Sequence, residues 1–193
     1  MLPPPIPRIV TTSWDDGDPC DLRVAELLRA RDLPGTFYFP FIGYDGRQTL
    51  THDHLKSFVR EGFEVGGHGM SHNVLPPLRS KEIAREVGNC KKRLEDILGE
   101  PIRMFSYSLG HYSGSVVRYL KEAGYLGGRT NRMLGRKLDF SPYEMPTTLQ
   151  APPLKIRRQL PKRSSVRRSH AAADLFRAGH VRRELGGTGE GAL

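Results

Sequence analysis

The chain has 193 residues, is 37% hydrophobic and 26% charged, and carries a formal net charge of +9. That is enough sequence and apolar content for one ordinary folded domain, and it argues against wholesale disorder. No window holds eighteen consecutive apolar residues, so a membrane-spanning helix is not expected. The opening MLPPPIPRIV lacks a charged stretch followed by an apolar one, so the expectation is a cytoplasmic protein with no secretory signal. Cys20 and Cys90 have no CxxC or Cys/His finger spacing, which leaves neither a disulfide framework nor a zinc finger.

The charge is unevenly spread. Residues 151–193 hold 10 of the 30 Lys and Arg but only 3 of the 21 acids, so the body before them is close to neutral. Such a basic end can bind phosphate backbones nonspecifically. Phe176 is its single aromatic residue, however, and base stacking is unsupported. Nucleic-acid binding is therefore kept as a rival reading.

In chain order, Arg8–Trp14 is β-branched and predicts a strand ending in Asp15-Asp16-Gly17. Asp21 caps a predicted helix carrying Leu22, Val24, Ala25, Leu27 and Leu28, which ends before Leu33-Pro34-Gly35. Thr36–Phe39 reads as a second strand, stopped by Pro40. Thr51–Glu61 reads as a helix with Leu55, Phe58 and Val59 on one face, and Phe63–Val65 as a short strand running into Gly66-Gly67. Ser80 opens the longest helix, where Ile83, Val87, Leu94, Ile97 and Leu98 recur at three- and four-residue steps until Gly99 and Pro101. A fourth strand is predicted over Ile102–Tyr107, a helix over Ser115–Ala123 and a fifth strand from Tyr125. This alternation implies βαβ units and a mainly parallel α/β sheet. Ala151-Pro152-Pro153 punctuates the chain. One more helix is expected over Leu175–Leu185, with a frayed Gly-rich end.

Functional groups in such a protein gather at the carboxyl ends of the strands. Asp15 and Asp16 fall at the first end. Neighbouring strand residues point to opposite sides, so one carboxylate can ligate a metal while the other holds a proton or a water. Asp-Asp-Gly-Asp-Pro is equally good turn and cap chemistry, and the pair alone leaves both readings open. His68 and His72 fall at the third end, four residues apart, a spacing that puts two imidazoles on one side of a helical turn. Two His and one Asp would give a divalent cation three ligands and leave a position for water. That arrangement suits hydrolysis, with the free carboxylate as general base. Trp14 is assigned either to a sugar face or to the core, and His52 and His54 to capping or exposure. The two cysteines are expected to be small buried or half-buried groups, and Arg129-Thr130 and His111 are cleft candidates.

Taken together, these segments resemble the polysaccharide deacetylases of carbohydrate esterase family four over about residues 8–150. Thr12-Ser13-Trp14-Asp15-Asp16-Gly17 is similar to that family's Thr-Phe-Asp-Asp-Gly, with one residue more before the pair. His68-Gly69-Met70-Ser71-His72 is similar to its two-histidine motif, and Thr36–Pro40 and Gly124-Tyr125 also match. The resemblance implies Asp15 as catalytic base, Asp16, His68 and His72 as metal ligands, and the Leu109 N–H as oxyanion donor. It implies a deformed, incomplete (β/α) barrel over 1–150, with 151–193 as a basic, partly helical segment. It also implies one divalent cation, with zinc the family's choice; an Asp-His-His set suits cobalt, nickel or manganese as well.

The implied reaction is removal of N-acetyl groups from amino-sugar substrates, hydrolysing a carbon–nitrogen bond that is not a peptide bond. Two departures stand out. The third motif has Phe105-Ser106-Tyr107-Ser108-Leu109-Gly110, with Ser106 where the family has an Arg that orients the base, so base positioning must come from elsewhere. The family's terminal His, which protonates the leaving amine, has only His180 as a candidate. Those losses motivate a second reading, an impaired or truncated member that binds carbohydrate without turning it over.

Overall fold

The computed structural model describes residues 10–133 and 140–150, all within the compact unit Met1–Gln150. The helix expected over Leu175–Leu185 and His180 lie outside the described residues. Five strands follow one another in space as they do in sequence: β1 (Ser13–Trp14), β2 (Thr36–Phe39), β3 (Glu64–Gly67), β4 (Met104–Ser106) and β5 (Gly127–Arg129). All four pairings are parallel. Parallel neighbours need a crossover, and one helix sits in each connection: α1 (Asp21–Arg29), α2 (His52–Arg60), α3 (Ser80–Leu98) and α4 (Gly114–Glu122). The predicted strands shrink to their central residues, because only those find ladder partners. Arg8–Trp14 reduces to Ser13–Trp14 within the described residues.

The predicted apolar stripes are buried in part: Ala25 and Leu28 of α1 are buried but Leu27 is exposed, and Ile97 and Leu98 of α3 are half-buried. Ile83, Val87, Cys90 and Leu94 of α3 lie against the sheet, and Gly99, at φ 72°, ends that helix in the left-handed conformation. Thr51 caps α2: its hydroxyl accepts from the His54 N–H while His54 Nδ1 accepts from the Thr51 N–H. Leu55 and Phe58 of α2 enter the core, where the Phe37 ring stacks on Phe58 at 4.3 Å and meets Phe63 edge-on at 5.4 Å. Cys20 corrects expectation. It is exposed at the start of α1, while Cys90 is buried. Asp21, expected as the cap, lies inside the first turn, and Cys20 is at the cap position.

The sheet is strongly curled. Four neighbour spacings of about 4.8 Å would hold the outer strands of a flat sheet roughly 19 Å apart. Yet Arg129, ending edge strand β5, ion-pairs with Asp15, just past edge strand β1. Glycine makes close approaches along the sheet. A Cβ on Gly66 would stand 2.5 Å from the Tyr38 ring, and one on Gly128 2.5 Å from the Tyr107 hydroxyl. Beyond β5, the segment around Met145 continues the pairing, with the Thr130 N–H on Met145 O at 2.8 Å and the Met145 N–H on Gly128 O at 2.9 Å. The alternation predicted the parallel α/β sheet, and the observed architecture is the incomplete (β/α) barrel that the resemblance implied.

Candidate active site

The carboxyl ends of β1, β3, β4 and β5 converge on a cleft of about 200 Å³ lined by Asp15, Asp16, His68, His72, Leu109 and Arg129, among others. Asp16 Oδ1 lies 2.9 Å from His72 Nε2 and 3.3 Å from His68 Nε2. The three ligand-capable atoms fall within 4.8 Å of one another. Both imidazoles are buried, whereas the Asp16 side chain is half exposed at the cleft.

The route to this convergence differs from the one the spacing suggested. His68 follows β3 directly, and His72 stands in a loop at φ 53°, so no helical turn brings the rings together. Gly69, at φ 85°, starts the reversal. Glu86, from α3, holds it. Its Oε2 accepts the N–H groups of Met70 at 2.8 Å and Ser71 at 3.0 Å, and its Oε1 accepts the Ser71 hydroxyl. Three of the five non-glycine residues with positive φ, namely Asp16, His72 and Leu109, line this one cleft. Such backbone costs about 1–3 kcal/mol per residue and persists where the surroundings impose it.

Hydrogen bonding fixes the chemistry of His68. Its Nδ1 lies 2.7 Å from the Ser106 carbonyl, which can only accept, so Nδ1 carries hydrogen. A neutral ring then turns an Nε2 lone pair toward Asp16 Oδ1, and two lone pairs at 3.3 Å require a proton or a cation between them. A ligating histidine anchored through its other nitrogen is the usual metal-site arrangement. The donor set therefore fits a divalent cation. With a proton rather than a cation in each gap, hydrogen bonds from His68 and then His72 hold the Asp16 carboxyl well below the usual carboxylate range.

Asp15 is paired differently. Its Oδ2 accepts from the Arg129 guanidinium and, at 3.3 Å, from the Ser106 hydroxyl. The Arg129 Nη2 also reaches Ser106 Oγ at 3.0 Å. The missing charge beside Asp15 is thus supplied from β5. Arg129 was expected only to line the cleft, since sequence order does not reveal that the sheet brings its first and last strands together. Leu109 stands at the cleft at φ 53°, 54% exposed, and its carbonyl accepts the Asn131 amide at 2.9 Å. His111 is exposed and is not among the cleft-lining residues. Trp14 is half-buried against the core and donates to Thr12 Oγ1 at 3.3 Å.

The polysaccharide deacetylase family model matches residues 3–128, and the chain belongs to that family. It is 30% identical over 120 residues to the peptidoglycan-N-acetylglucosamine deacetylase of Bacillus cereus, covering 61% of this chain and 54% of that protein. The chain thus spans about half the length of that relative. Its fold is similar to that of the Streptococcus pyogenes deacetylase PplD in complex with acetate, with a TM-score of 0.66 and 16% identity over 71% of this chain and 63% of that one. It is also similar to a wild-type CE4 family pseudoenzyme from Bacillus anthracis, with a TM-score of 0.55 and 20% identity over 62% and 42% of the two chains.

Proposed function

We propose that this chain is a metal-dependent hydrolase that removes N-acetyl groups from amino-sugar substrates. The observation that carries the reading is the meeting of Asp16, His68 and His72 beside a second, separately held carboxylate, Asp15. Asp16 Oδ1, His68 Nε2 and His72 Nε2 would hold the cation. When bound, a divalent cation there supplies Lewis acidity, making a water more acidic and polarising an acyl carbonyl. Zinc suits these ligands, as do cobalt, nickel and manganese.

The chain's own groups then divide the work. Asp15 takes the proton of the attacking water as general base. The Leu109 N–H donates to the oxyanion that develops on the acyl oxygen. As the carbon–nitrogen bond breaks, the leaving amine needs a proton. Among the described residues that line the cleft, the only histidines are the two proposed ligands. We assign that proton to the carboxyl of Asp15, which has just acquired it.

Acetate release from N-acetylated chitooligosaccharides tests this function. The zinc-loaded parent is expected to release acetate, and excess chelator or Asp15→Asn to abolish it. A folded parent that loads a cation but releases nothing from acetylated oligosaccharides sinks the deacetylase reading, and retained saccharide binding would then place the chain with carbohydrate-binding pseudoenzymes.

A further inference from the structure

We infer that Arg129 is the residue that positions Asp15 for proton transfer, delivered from β5 to do work that no residue of β4 can do; this rests on the hydrolase reading above. Ser106 and Arg129 are register partners on adjacent parallel strands, so their side chains rise from the same face. Ser106 is small and neutral. The longer guanidinium passes over it, touching its hydroxyl at 3.0 Å, and ends on Asp15 Oδ2. The side chain of Arg129 is only 13% exposed, and its guanidinium lies 5.3 Å from the centre of the Tyr38 ring, which fixes its direction.

What the pair leaves unpartnered is as telling. Asp15 Oδ1 and Arg129 Nε are buried without a hydrogen-bond partner among the described residues. A purely structural clamp between two strand ends would gain by satisfying both atoms, because each orphan costs about 1–3 kcal/mol. Here one carboxylate oxygen is tied down by Arg129 and the other has no hydrogen-bond partner among the described residues. That division orients a base: Arg129 and Ser106 hold one oxygen and so set the plane of the carboxylate, and no protein donor competes for the other. A guanidinium is suited to this because it stays charged at every working pH.

The test compares the zinc-loaded parent with Arg129→Ala and Arg129→Lys. Arg129→Ala is expected to lower kcat about 100-fold, with KM within about twofold and cation binding unchanged. Free guanidinium at millimolar concentration restores at least about tenfold of the lost kcat, and Arg129→Lys falls between parent and alanine variant. A parental kcat in Arg129→Ala, a loss of cation binding with it, or a loss that neither guanidinium nor lysine relieves overturns the assignment.

If the parent loads zinc yet releases no acetate, the hydrolase reading fails by itself. A double-mutant cycle of Arg129→Gln and Asp15→Asn on urea unfolding then decides the pairing. Strongly non-additive midpoints uphold a specific Arg129–Asp15 contact, and additive ones overturn it.

Discussion

Asp21 lies in the first turn of α1 and is 5% exposed, with Oδ2 buried and unpartnered among the described residues. Burial, followed by the charges of Asp18, Asp15 and Asp16, pushes its carboxyl up from 3.8 to about 8. In the unfolded chain the same group titrates near 3.9. Below about pH 4 it is protonated in both states and has no net effect. Between about pH 4 and 8 the folded chain keeps a proton that the unfolded chain has lost, so stability falls as pH rises.

The full slope is roughly 1.4 kcal/mol per pH unit, and by pH 7 the accumulated loss approaches about 4 kcal/mol. Asn has the same shape and does not titrate, although its own buried amide costs about 1–3 kcal/mol if unpaired. Asp21→Asn should therefore gain on the parent by about 1 kcal/mol for each pH unit between 5 and 7. Urea unfolding of both proteins at pH 5, 6 and 7, in excess chelator, measures this. Parallel stability curves would refute the argument, because they would mean that Asp21 binds no extra proton on folding.

Three further outcomes are expected. The parent should bind about one divalent cation per chain, measured by metal analysis after dialysis, and the Asp16→Ala, His68→Ala double variant none. Glu86→Ala frees the Met70 and Ser71 N–H groups and lets the His72 loop relax, so cation affinity by titration calorimetry should fall about 10–100-fold with the far-ultraviolet circular dichroism unchanged. Leu55→Ala opens a cavity at a side chain with no exposed surface, and urea unfolding should show a loss of about 2–5 kcal/mol.

The sequence by itself determined the order of elements, because each depends on local chemistry. Apolar steps of three and four set α3, Thr51 set the start of α2, and Pro40 and Pro101 marked ends. It also placed Asp15, Asp16, His68 and His72 at strand ends, since punctuation by glycine and polar residues is visible along the chain. Tertiary structure alone decided how these groups meet. The two histidines look like a helical pair in sequence, but a left-handed loop held by Glu86, fourteen positions beyond His72, brings them together. Arg129 is 114 residues from Asp15 and four strands away in chain order. No periodicity encodes that distance. It closes because the parallel sheet curls until the ends of its first and last strands meet, and only there does a charge from β5 reach a carboxylate from β1.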